Sequence, residues 1–254
     1  MWPRRLTQAV ALVPLALLMN WDAPEIPTPE RRDRDSSALP AAPRPPIVER
    51  SAWHADERSV REKPVHVAAV RAVFVHHTHH SGDYDCRDVP DMLRSMQDAH
   101  IHGEGWDDLG YNFVVDRCGT IYEGRAGSAD RAVLGAHTQG FNTGSVGIAA
   151  VGSFGEGTRI PRPMLEAIAA VAAWKLRPGA DPGGRVRMVS TNDRSRYPEG
   201  TAVDLDVISG HRDGYETDCP GDALYAALPR LREMVARLRD EGVRAGGART
   251  GGKE

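Results

Sequence analysis

The sequence predicts an α/β domain built on a mixed central β-sheet with helices on its faces. Three observations carry that reading: apolar runs suited to buried strands alternate with segments of helical period, one pair of β-rich arms flanks a tight turn, and the other connections are long enough to cross over. AVRAVFVHH, ending at His77, reads as a buried strand. PDMLRSMQDAHIH follows with Met92, Leu93, Met96 and Ala99 at helical spacing and Asp88 placed to cap, so it reads as a helix. YNFVVDRCGTIYEG places two arms around Asp116-Arg117-Cys118-Gly119 and reads as a hairpin. SVGIAAVGSF is a further strand, PMLEAIAAVAAWKL a second helix, and TAVDLDVISGH a strand that ends in His211. DALYAALPRLREMVARL is a last helix, whose internal Pro229 either delays its start or kinks it. There is no internal repeat.

The chain has 254 residues and a net charge of -3, which gives no general attraction to nucleic acid or to an anionic membrane. Of its 32 basic residues only Lys63, Lys175 and Lys253 are lysine, and an Arg bias in so Ala-rich and Gly-rich a chain reflects coding composition more than a phosphate-binding face. Residues 1–20 carry Arg4 and Arg5 ahead of an apolar stretch too short for a membrane span, the layout of an export signal, with an uncleaved anchor as the alternative. Residues 21–48 are dense in Pro and charge and read as an extended linker. Residues 49–239 form the expected domain, and 240–254 a disordered tail.

The stretch RAVFVHHTHHSGDYDC places four histidines in five positions. Strand side chains alternate between faces, so His76 and His77 point apart and the four cannot share one ion. In GHRDGYETDCPG, His211 closes a strand and Cys219 lies just before Pro220 and the last helix, whose N-terminus would favour a thiolate. Two histidines and a thiolate suit Zn²⁺ and leave a fourth position open for water, although this loose spacing also fits an apolar thiol beside a strand-end histidine.

RSAWHADE, FVHHT, GWDDLGYNFVVDRCGTIYEGR, GAHTQGFNTGSVGIAAVG and SGHRDGYETDCPG, in that order, resemble the motifs of type 2 N-acetylmuramoyl-L-alanine amidases, specifically the peptidoglycan recognition protein group. The resemblance covers residues 50 to about 230. It implies a zinc hydrolase that cuts the amide between the lactyl group of N-acetylmuramic acid and the L-alanine of the stem peptide. It makes His76, His211 and Cys219 the zinc ligands, leaving His79 and His80 as bystanders. Members that only bind peptidoglycan commonly lack the cysteine, and it is present here, with a non-catalytic peptidoglycan-binding module as the alternative. Tyr111 of GYNF is placed beside the reacting water and Thr217, two before the cysteine, beside the developing oxyanion. His77, Trp106, Arg125, His137 and Asn142 are implied substrate contacts, with Trp106 and Arg125 resembling members that prefer meso-diaminopimelate.

Three cysteines leave an odd count. In an exported protein Cys86 and Cys118 are candidates for one disulfide, freeing Cys219 for the metal, whereas a disulfide at Cys219 would destroy the site. The expected partners are peptidoglycan and muropeptides, and no long apolar heptad suggests anything beyond a monomer.

Overall fold

The computed structural model describes residues 42–250, with side chains to Gly242. These residues belong to one compact unit. The signal-like segment 1–20 and all but the end of the 21–48 linker lie outside them.

The core is a five-stranded sheet of order β3-β2-β4-β1-β7, made of β1 (Ala72–His77), β2 (Phe113–Val115), β3 (Ile121–Glu123), β4 (Ser145–Ala150) and β7 (Ile208–Gly210). β2, β4, β1 and β7 run parallel, and β3 returns antiparallel as the second arm of the expected hairpin. The mixed sheet is therefore as the sequence predicts. Parallel strands buried on both faces read as continuous apolar runs, which is why every residue of β1 and β4 is buried.

Alternation along β1 divides the interior. Val73 and Val75 face a core completed by α2 (Arg162–Lys175) and α5 (Leu228–Thr250), including Leu165, Ile168, Leu231 and Val235. On the opposite face, Ala72 and Phe74 meet Phe141, Met188 and Leu205. Farther along that face, Val114 and Ala149 pack with Trp53 and with Leu93 and Met96 of α1 (Val89–Asp98).

Four expectations change in detail. TAVDLDVISGH is two strands, because the chain leaves one sheet for another at Val207, whose amide bonds Gly184 and whose carbonyl bonds Val73. Its first part, β6 (Ala202–Asp206), pairs with β5 (Arg185–Val189), a strand the sequence reading did not assign although Val186 and Met188 alternate inward. The last helix is also split: α4 (Asp222–Ala226) ends at Ala227, and Pro229 sits in the first turn of α5, where its missing N–H costs no helical bond. α5 continues to Thr250, through most of the segment expected to be a tail.

The fourth change is the linker boundary. Ala42 is buried in the core, and Val48 adds to the β3 edge, donating to Ile121 O at 2.8 Å and accepting from Glu123 N at 2.9 Å. An unpaired edge strand is a liability, and this short Pro-rich stretch covers it.

Cys86 and Cys118 form the disulfide, tying the start of α1 to the β2–β3 turn. With a sequence separation of 32, the loop-entropy relation assigns it about 3–4 kcal/mol. The Cys86→Ser/Cys118→Ser variant is expected to lose that much in denaturant unfolding; an unchanged midpoint would show that the bridge constrains nothing.

Candidate metal centre and cleft

The parallel register of β1 and β7 puts their carboxyl ends at the same edge of the sheet, where open α/β sheets form their crevices. His76 stands near the end of β1, on the face away from α2 and α5. His211 follows directly on β7 in the short helix α3 (His211–Gly214). Their ring centroids are 4.5 Å apart. Cys219 returns to the same point, with Sγ 3.8 Å from His76 Nδ1. One ligand atom from each of His76, His211 and Cys219 falls within 4.8 Å of the others.

The loop bringing Cys219 back is held at several points. Arg212 N donates to Cys219 O at 3.0 Å, and its guanidinium binds Asp222 at 2.8 Å and lies over the Tyr225 ring. Asp213 accepts from Gly210 N and from the Tyr225 hydroxyl. Gly221 turns at φ +88°, and a Cβ there would lie 2.3 Å from Phe154 O, so the return path needs glycine.

The electrostatics fit a cation. Burial holds His211 down to about 4 and drives His76 well below the ordinary histidine range, aided by the neighbouring rings, so both imidazoles are neutral at pH 7 with lone pairs to offer. Burial also pushes the Cys219 thiol up to about 12. A thiol in such surroundings becomes a thiolate when a dication takes its proton's place. Sγ accepts from His77 N at 3.3 Å, the amide at the end of β1. For tetrahedral zinc with Zn–S of ~2.3 Å and Zn–N of ~2.05 Å, S and N separate by about 3.6 Å, close to the spacing found.

Beside the donors a row of rings leads outward. Tyr111 lies 5.2 Å from His76, His100 lies 5.7 Å from Tyr111, and Trp106 lies 4.7 Å from His100. Burial, then the nearby Cys219, raises the Tyr111 phenol above its usual range, so it stays protonated and able to donate. The sequence reading missed His100 because it sits in DAHIHG, where the helical pattern of α1 absorbs it. The chain leaves α1 there in a π-helical turn, Ala99–Gly103, and His100 Nδ1 accepts from Gly110 N at 3.1 Å.

The other sequence-derived residues divide. Thr217 Oγ1 accepts from Cys219 N at 3.2 Å, bracing the ligand and leaving its hydroxyl hydrogen free. Arg125 is largely buried, with its guanidinium turned to Asp107 at 3.6 Å and to Leu109 O at 3.3 Å. Asn142 Oδ1 accepts from His137 N and Thr138 N, so its carbonyl fixes the turn and only its amide hydrogens remain available. One expectation needs correcting. His77 is no cleft residue: alternation sends it to the far face, against His79 at 3.8 Å and Phe154 at 6.5 Å. His137 is buried, its Nδ1 3.2 Å from His76 Nε2.

A mixed sheet carrying an open set of two imidazoles and a thiol at its carboxyl edge defines the class of domain. Residues 66–222, more than half of the chain, match the N-acetylmuramoyl-L-alanine amidase family (Amidase_2), and the chain belongs to that family. It is 31% identical to the human N-acetylmuramoyl-L-alanine amidase over 204 residues, which is 79% of this chain and 31% of the human protein. It is 31% identical to Drosophila melanogaster peptidoglycan-recognition protein LB over 161 residues, 61% of this chain and 56% of that protein. The chain thus spans about a third of the human amidase. Among solved structures, Drosophila PGRP-LB superposes with a TM-score of 0.54 at 26% identity, covering 72% of this chain and 92% of that one. PGRP-LE, solved in complex with tracheal cytotoxin, superposes equally well, with 0.54 at 26% identity over 72% of this chain and 91% of that one.

Proposed function

We propose that this protein is a zinc-dependent N-acetylmuramoyl-L-alanine amidase, hydrolysing the amide that joins N-acetylmuramic acid to L-alanine in peptidoglycan. The observation that carries the proposal is the convergence of His76, His211 and Cys219 within 4.8 Å, with Tyr111 beside them. His76, His211 and Cys219 would hold the ion, a three-donor set that would leave it open to solvent or substrate. When bound there, Zn²⁺ supplies Lewis acidity and makes water nucleophilic near neutral pH.

The chain's own residues account for the rest. Tyr111, kept protonated by burial, donates to the oxygen that gains charge at the scissile carbonyl. Thr217, with its oxygen already accepting from Cys219 N, offers its hydrogen to the same region. His100, accepting at Nδ1 from Gly110 N, carries its hydrogen on Nε2, and Trp106 extends the ring row as an apolar platform. Asn142 offers amide hydrogens to muramyl or stem-peptide groups. Arg125 reaches a stem carboxylate by exchanging Asp107 for it, which makes discrimination at that position weaker than an unpaired guanidinium would give.

The disulfide suits an oxidising compartment, in keeping with export. No described helix is long and apolar enough to cross a membrane.

Incubating the full chain with muropeptides and weighing the products tests the function. Release of intact stem peptide that stops with a chelator and with Cys219→Ala supports the amidase. Binding without release, unchanged by Cys219→Ala, would leave a recognition module instead. In the same assay Tyr111→Phe is expected to retain zinc and lose about 10²–10³ in kcat, as removal of one oxyanion donor does; an unchanged kcat would assign Tyr111 to packing alone.

A further inference from the structure

We infer that His137 is a positioning residue: it accepts a hydrogen bond from the rear nitrogen of the metal ligand His76, and so fixes the ring and tautomer that the zinc site requires. The inference rests on the zinc reading above and extends it to a residue behind the site.

His76 has two ring nitrogens with different surroundings. Nδ1 faces the Cys219 sulfur at 3.8 Å, so this is the nitrogen turned to the metal. Nε2 points the other way and lies 3.2 Å from His137 Nδ1. If Nδ1 gives its lone pair to a metal, Nε2 carries the hydrogen and must donate it, because a buried N–H without an acceptor is costly. His76 is completely buried, so water is no substitute. His137 Nδ1 is the nearest acceptor. Thr138 Oγ1 flanks the pair, 3.4 Å from His76 Nε2 and 3.1 Å from His137 Nδ1. With Nδ1 accepting, His137 carries its hydrogen on Nε2, where Ser145 Oγ lies at 3.5 Å; that hydroxyl donates onward to Phe141 O at 2.6 Å. A directed chain thus runs from the metal ligand into the backbone of the His137–Ser145 loop. Metal-binding histidines are commonly oriented by such a second hydrogen bond, and it raises their basicity as ligands.

The surrounding sequence is built to seat this ring. A Cβ on Gly147 would lie 2.4 Å from His137 Cγ, and one on Gly135 would lie 2.5 Å from its Cδ2. Both positions must therefore lack a side chain for the imidazole to lie where it does. Asn142 Oδ1 holds the backbone amides of His137 and Thr138 at 2.9 and 2.8 Å, fixing the turn from which the ring projects. Slot, turn and acceptor together serve the rear of His76.

The test is zinc affinity, measured by chelator competition on the full chain, with thermal unfolding of each metal-free variant as the check on folding. His137→Phe keeps a flat ring in the slot and removes the acceptor; zinc binding is expected to weaken about 10–100-fold. His137→Gln, whose carbonyl can accept, is expected to recover most of that loss, and Thr138→Val to bind as the wild type does. Wild-type affinity in a folded His137→Phe protein would overturn the inference while leaving the amidase reading intact; failure of the wild type to bind zinc would overturn both. The wild type also answers without any variant. Two-bond ¹H–¹⁵N correlations of the zinc-loaded protein should find His76 protonated at Nε2 and His137 protonated at Nε2 with Nδ1 bare. A hydrogen on His137 Nδ1 would contradict the inference.

Discussion

The parallel register between β1 and β7 is the constraint on which the rest depends. It pairs Val73 with Ile208 and Val75 with Gly210, so the residue after β7 emerges beside the end of β1. Only that register brings His76 and His211 to within ring contact from positions far apart in the chain. A slip of one residue would exchange His76 for His77 and turn the ligand to the opposite face, toward Phe154 and the α2–α5 core. The apolar content of β1 resists such a slip. Val73 and Val75 belong to a core of large aliphatic residues, while Ala72 and Phe74 fill a smaller space beneath the β5–β6 hairpin.

On this frame the third donor is supplied by a loop held in place. Arg212 and Asp213, directly after His211, bind the Cys219 carbonyl, Asp222, Gly210 N and Tyr225. His211 and Cys219 are therefore two ends of one braced segment. That arrangement explains how a buried neutral thiol can be stored close to two neutral imidazoles: none carries charge at pH 7 without a cation, and the geometry for one already exists. The cost of burying the groups is met by packing and backbone bonds, and a dication would draw the thiolate from them.

Much of this was legible in the sequence. The period of each segment gave the strands and helices, and alternation alone showed that His76 and His77 could not act together. Cys86 and Cys118 pair, as the odd cysteine count suggested. What was not legible depends on contacts across the fold. Nothing in TAVDLDVISGH marks Val207 as the point where the chain changes sheets. Ala42–Val48 looked like linker because Pro and charge dominate it, yet its backbone completes an edge. His100 was hidden in a helical pattern, and His77 was drawn into the cleft by motif alone. For His137 the signal was available in part: Gly135 and Gly147, on either side of it, mark a backbone that must come close to a ring.

His76, His211 and Cys219 form one three-donor centre. X-ray absorption at the zinc edge of the metal-loaded full chain tests it directly. The expected first shell holds one sulfur near ~2.3 Å and two imidazole nitrogens near ~2.0 Å, with one further light atom. A shell without sulfur, or with only one imidazole, would contradict the placement of Cys219 with His76 and His211 and with it the centre described for this fold.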